Sequence, residues 1–129
     1  MYKRQELISE ELLTNNLIKE ITYPFSKNHP GYLLAKSQMK LGGSMISIKL
    51  NLNKDQTFKF CKKLKYFSLA ESLGGVDSLI GHPASMTHGS IDKKTKQNLG
   101  IDDSLVRLSV GCEDSDDLIS DILNSFESL

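Results

Sequence analysis

Residues 44–51, SMISIKLN, and residues 104–111, SLVRLSVG, decide how this chain folds. Both alternate with a period of two, the spacing that sends successive side chains to opposite faces of a strand. In the first, Ile46, Ile48 and Leu50 share one face, and Met45, Ser47 and Lys49 the other. In the second, Ser104, Val106, Leu108 and Val110 point one way, while Leu105, Arg107 and Ser109 point the other. Two strands of this kind need a sheet, and their apolar faces need a cover.

The surrounding sequence supplies both. Residues 4–15 read as a helix with Leu7, Ile8, Glu11 and Leu12 near one face, stopped by Asn15 and Asn16. Leu17 to Tyr23 alternates weakly and ends at Pro24, as a strand must. His29-Pro30 opens a second helix, because proline's missing N–H is not needed in a first turn, and Gly42-Gly43 close it. Asn53, with Gln56 three residues on, resembles a capping box and predicts a helix over 54–63, its core stripe Phe58 and Cys61. Tyr66 to Ala70 is a short apolar strand, and Ile91-Asp92 starts a polar helix that Gly100 ends. From Asp114 a final helix repeats Leu118, Ile122 and Phe126 at i, i+4, i+8, with Asp114, Asp116 and Asp117 in its first turn, where negative charge is favourable. The expected fold is α+β: a small, mostly antiparallel sheet with helices on one face, residues 1–129 forming a single domain.

The totals exclude several functions. At 129 residues the chain can bury a core without disulfides or metal, and 39% apolar with 25% charged residues is a globular composition rather than a disordered one. Lys+Arg and Asp+Glu are equal at 16 each, so no overall field recruits nucleic acid or an anionic membrane. All 16 basic residues lie at or before Arg107 and residues 111–129 carry six acids, which reads as a solvated acidic helix. Lys62, Lys63 and Lys65 read as a helix end whose cations complement the dipole. Cys61 and Cys112 stand alone, without C-x-x-C, which points to a reducing cytoplasm. The three histidines have no paired cysteine spacing, so no metal is expected.

Chemistry concentrates in two places. Arg107 places a planar, two-pronged donor on a strand face among small and apolar neighbours, an arrangement that suits a structural salt bridge or a clamp on a ligand carboxylate. The salt bridge is the commoner use of such a residue. The second place is residues 70–90, AESLGGVDSLIGHPASMTHGS, a loop-like stretch with scarcely a period of either kind. There Glu71 and Ser72 precede Gly74-Gly75, where glycines let backbone approach a ligand or simply make a tight turn. His82 and His88 lie six apart with no third ligand. Ser85, His88 and Asp92 make a Ser/His/Asp set only on paper, since no G-x-S-x-G elbow holds the serine.

The runs LAESLGGVDSLIGHPASMTHGSI (69–91) and LGIDDSLVRLSVGCEDSDDLISDI (99–122) closely resemble the C-terminal domain of the pyridoxal-phosphate enzymes of cysteine and methionine metabolism. HPGYLLAKSQM (29–39), followed by GGSMISIKL (42–50), resembles the family's HP–LAK-QM segment and the glycine-led strand after it. The resemblance extends from about residue 8 to the C-terminus.

That resemblance implies the fold of the small domain of fold-type I enzymes and a place in transsulfuration. It implies that Arg107 binds the substrate α-carboxylate, that Ser72 lines the amino-acid site, and that Glu71 faces the distal end of the substrate. An acid at this position belongs to the cystathionine γ-synthase and γ-lyase branch, whereas methionine lyases tend to be apolar there. Pyridoxal 5'-phosphate is the implied cofactor, yet the family's S-x-T-K-[Y/F] lysine motif has no match here; KKTKQ (93–97) sits in a polar helix. The expectation is a substrate-binding portion that is not catalytic alone, with the N-terminal cofactor domain absent. Its partners are an amino-acid substrate and the N-terminal domain or other subunits of a typically homotetrameric enzyme, with no nucleic acid and no membrane. A free-standing amino-acid-binding module and an inactive remnant are the alternatives.

Overall fold

A computed structural model of the chain describes residues 3–129. The elements run α1 (Lys3–Leu12), β1 (Ile18–Thr22), α2 (Tyr32–Gln38), β2 (Met45–Leu50), α3 (Lys54–Lys63), β3 (Ser68–Leu69), β4 (Leu79–Gly81), α4 (Lys93–Asn98), β5 (Leu105–Ser109) and α5 (Ser115–Glu127). Five strands form one sheet in the order β1-β2-β5-β4-β3. Every pairing is antiparallel except β3 with β4, which is parallel. The two alternating stretches are its centre: Ser47 lies opposite Arg107, and Met45 opposite Ser109.

One face of the sheet makes the core. Ile46, Ile48, Val106 and Leu108 are at most 2% exposed, and Ile8 and Leu12 of α1, Phe60 of α3, and Leu118 and Ile122 of α5 join them in one cluster. Phe60 stacks on Phe126, ring centroids 4.6 Å apart and 13° from parallel, which joins α3 to α5. Burial of this kind, at roughly 25 cal/mol per Å² of apolar surface, is the main force holding the sheet under its helices. The predicted helix signals also stand: Asn53 and Gln56 complete a capping box at α3, Asp92 caps α4, and Asp114 caps α5. Gly100, just past α4, has φ of 70°, a conformation glycine adopts without cost.

Four expectations need correction. In α1 the buried side is Gln5, Ile8, Ser9 and Leu12, not Leu7 and Glu11; Leu7 is 46% exposed. The helix meets both α5 and β2, so its buried face is turned from the one apolarity alone suggests. Pro30 does not open α2. The His29 ring accepts the Gly31 N–H at 3.0 Å, so the proline is held in a preceding turn, and the helix runs only from Tyr32 to Gln38. In α3 the buried residues are Thr57, Phe60 and Cys61, while Phe58 is half-buried against the His82 ring, centroids 4.6 Å apart. Finally, the loop-like stretch contains β4, and the strand expected over 66–70 shrinks to its neighbour β3.

Candidate functional site: a cleft around Arg107

The face of the sheet turned away from the helix-covered core carries the site. Alternation in β5 turns Val106 and Leu108 into the core and sends Arg107 to the opposite side. Its register partners are Ser47 on β2 and Gly81 on β4, so the guanidinium rises between two small residues. Arg107 is half-buried and takes part in no ion pair or hydrogen bond with any described residue. The ion pairs Lys36–Glu6 and Lys49–Glu20 lie elsewhere. The salt-bridge reading of this arginine therefore finds no partner among the described residues. Desolvating a cation without a partner costs free energy, and an anionic ligand would remove that cost.

The segment after β3 is fastened over the same face. Gly74, at φ 76°, donates its N–H to the Ser109 hydroxyl at 2.8 Å, which ties the loop to the strand bearing Arg107. Further along, the Glu113 carboxylate accepts both the N–H and the hydroxyl of Ser78, at 2.7 and 2.8 Å. The Ser78 hydroxyl in turn accepts the Gly111 N–H at 2.9 Å, and the Cys112 N–H donates to the Val76 carbonyl at 2.8 Å. Gly111 is needed for that approach: a Cβ there would meet the Val76 oxygen at 2.3 Å. Burial pushes the Glu113 carboxyl up, but the Ser78 hydrogen bonds, with Arg4 nearby, outweigh it and hold the group below the usual carboxylate range. Arg4 of α1 closes the knot by donating to the Glu113 and Cys112 carbonyls.

The result is a cleft that brings Arg107, Ser72 and Glu71 together, with Met45, Met86 and Thr87 in the same lining. Ser72 and Glu71 are exposed on its rim. The cleft as a whole holds only about 10 Å³ of space, room for a single water.

The sequence places His82 only as one of two histidines six apart with no third ligand, yet its side chain is completely buried. Its Nδ1 lies 2.7 Å from the Ser85 hydroxyl and its Nε2 3.0 Å from the Asp103 carbonyl. A carbonyl only accepts, so Nε2 carries a proton, and in the neutral ring Nδ1 accepts from Ser85. The paper triad does not assemble: Ser85 bonds His82, His88 bonds Thr87 at 2.8 Å, and Asp92 caps α4. The signal for His82 lay in its position directly after Gly81 at the end of β4, invisible until that strand is known. Cys61 is buried, and that burial raises its thiol to about 12, while Cys112 is exposed; neither is in a disulfide. Among the described residues no group of three or more His, Cys, Asp or Glu stands ready for a metal, and no helix is long and apolar enough to cross a membrane.

Comparison with known proteins supplies context for this geometry. Residues 4–127 match the family described as Cys/Met metabolism PLP-dependent enzyme. A cystathionine beta-lyase of Lactococcus lactis subsp. cremoris is 47% identical over 120 residues, 93% of this chain and 31% of that protein. The cystathionine gamma-lyase of Bacillus subtilis is 43% identical over 122 residues, 95% of this chain and 32% of its own length. The crystal structure of cystathionine gamma synthase from Xanthomonas oryzae pv. oryzae in complex with cystathionine matches with a TM-score of 0.92 at 39% identity, over 98% of this chain and 33% of that one. The chain thus spans about a third of the length of the relatives it matches. The cleft does not fit the family's cofactor by itself: its lining has no lysine to take the aldehyde and no aspartate for the pyridine nitrogen. Its donors suit a carboxylate.

Proposed function

This chain belongs to the Cys/Met metabolism PLP-dependent enzyme family, and we propose that it supplies the C-terminal, substrate-binding portion of an enzyme that makes or cleaves cystathionine. The observation that carries the reading is Arg107: a half-buried guanidinium on a central strand, flanked by Ser47 and Gly81 and without a protein partner among the described residues. Its two parallel N–H groups take the substrate α-carboxylate. Ser72 offers a hydroxyl at the same rim, and Glu71 receives the ammonium at the far end of cystathionine. Pyridoxal 5'-phosphate is held outside this cleft, by the rest of the enzyme or by other subunits of a tetramer, and the chain is not catalytic alone. A free-standing amino-acid binder needs an enclosing pocket, and the cleft at Arg107, with about 10 Å³ of space, does not provide one.

The test is a chimaera in which residues 4–127 replace the matching segment of the Lactococcus lactis beta-lyase, assayed on cystathionine. The expected result is turnover. Arg107→Ala should lose about 1.5–3 kcal/mol of substrate binding, the worth of hydrogen bonds to a charged group. Arg107→Lys keeps the charge without the fork and should not restore it. Kinetics unchanged by the alanine substitution would overturn the role.

A further inference from the structure

We propose that His82 is the positioning residue of the carboxylate site, a buried brace that sets the distance between the strand bearing Arg107 and the opposite wall of the cleft. The inference rests on the functional reading above and goes past it to a residue with no direct part in ligand binding.

Three observations carry it. First, His82 directly follows Gly81, the register partner of Arg107, so its backbone continues the strand that flanks the arginine. Secondly, the ring spans two segments: Nδ1 accepts from Ser85, in the turn that leads to Met86 and Thr87, and Nε2 donates to the carbonyl of Asp103, where the chain enters β5. Met86 and Thr87 belong to the cleft lining with Arg107, so one ring joins their side of the cleft to the approach to β5. Thirdly, the turn is wound on His82 itself. Met86 donates its N–H to the His82 carbonyl at 3.0 Å, and the His82 N–H points back at the Met86 sulfur at 3.3 Å. Phe58 of α3 lies against the ring, centroids 4.6 Å apart and tilted by 49°, and completes its enclosure. A side chain with no exposure, both nitrogens used and an aromatic neighbour has one orientation. Whatever it joins is held in register, and two-point recognition of a carboxylate depends on register.

Two variants separate positioning from mere packing. Ser85 is exposed, so Ser85→Ala removes the Nδ1 partner without opening the core. His82→Gln keeps a donor for Asp103 but has no acceptor at the Nδ1 position. In the chimaera, Ser85→Ala should raise KM for cystathionine about three- to tenfold, the worth of one hydrogen bond, with kcat within about twofold and Tm nearly unchanged. A packing role alone would lower Tm and leave KM in place. In the 129-residue chain itself, amide exchange should quicken at Met86 and His88 in both variants while the amides of β5 keep their protection. An inactive parent chimaera counts against the functional reading, and the exchange measurement then decides the brace independently. Unchanged KM, or unchanged exchange at Met86 and His88, overturns it.

Discussion

The two faces of the central sheet are built on opposite terms. On the helix side, Ile46, Ile48, Val106 and Leu108 are at most 2% exposed and stability comes from apolar burial. On the other side, Met45, Ser47, Lys49 and Arg107 are all only half-buried, and the segment above them is fixed by individual hydrogen bonds: Gly74 to Ser109, Ser78 to Glu113, His82 to Ser85. The difference teaches where free energy is held and where it is left available. A face whose guanidinium has no partner among the described residues contributes little to folding, and its side chains keep more freedom. The helix-side face has no such freedom.

The contrast can be broken most directly from the core. Leu108→Ala should destabilise the chain by about 2–5 kcal/mol in urea unfolding, through lost transfer energy and a cavity. Arg107→Met, one residue away on the opposite face, should change stability by less than about 1 kcal/mol. Equal losses would mean that Arg107 holds the fold together after all.

Gly111→Ala tests the fastened loop. The new Cβ would press on the Val76 carbonyl and the Asp77 backbone, neither of which can rotate away. The expected cost is about 1–3 kcal/mol, with exchange quickened at Cys112, whose N–H reaches the Val76 carbonyl. A variant as stable as the parent would show that the loop is less tightly fastened than its hydrogen bonds suggest.

Glu113→Gln sharpens the same point through pH. The folded Glu113 carboxyl is held below its ordinary range, with the Ser78 hydrogen bonds outweighing burial. Its contribution to stability is therefore complete above the unfolded carboxylate pKa and is lost as pH falls through the lower folded value. Glu113→Gln should cost about 0.5–1.5 kcal/mol at neutral pH and flatten the acid limb of the Tm–pH curve. Identical acid limbs would show the knot to be electrostatically idle.

The smallest effect belongs to Glu71, which is exposed. Glu71→Val in the chimaera should move the ratio of kcat/KM for cystathionine over methionine toward methionine, by no more than about 1 kcal/mol, because solvent screens a charge on the rim. A ratio that does not move would leave Glu71 as a turn acid and weaken the assignment to the cystathionine γ-synthase and γ-lyase branch.

How much of this was legible depended on whether the deciding interaction was local. Periodicity within β2 and β5 named the core face and put Arg107 on the other, because alternation is a property of the strand itself. The capping box at Asn53 was equally readable, since donor and acceptor lie within three residues, and Asp92 and Asp114, read only as helix beginnings, prove to be N-caps. Glu71, Ser72 and Arg107 were brought forward by motif likeness, and the fold places all three at one cleft.

Other features are not local. β4 has three residues, too few for a period, and exists because β5 and β3 offer hydrogen bonds on either side of it. Phe58 and Phe60 exchange their expected prominence because α3 has two neighbours, α5 and the His82 ring, where an amphipathic pattern assumes one. The burial of His82 and the absence of a protein partner for Arg107 among the described residues depend on residues far apart in sequence. The sequence by itself determined which face of each strand is apolar and which residue types stand ready for a carboxylate. Only the tertiary structure decided that this arginine has no protein partner among the described residues, because charge pairing and burial are set by neighbours that chain order does not reveal.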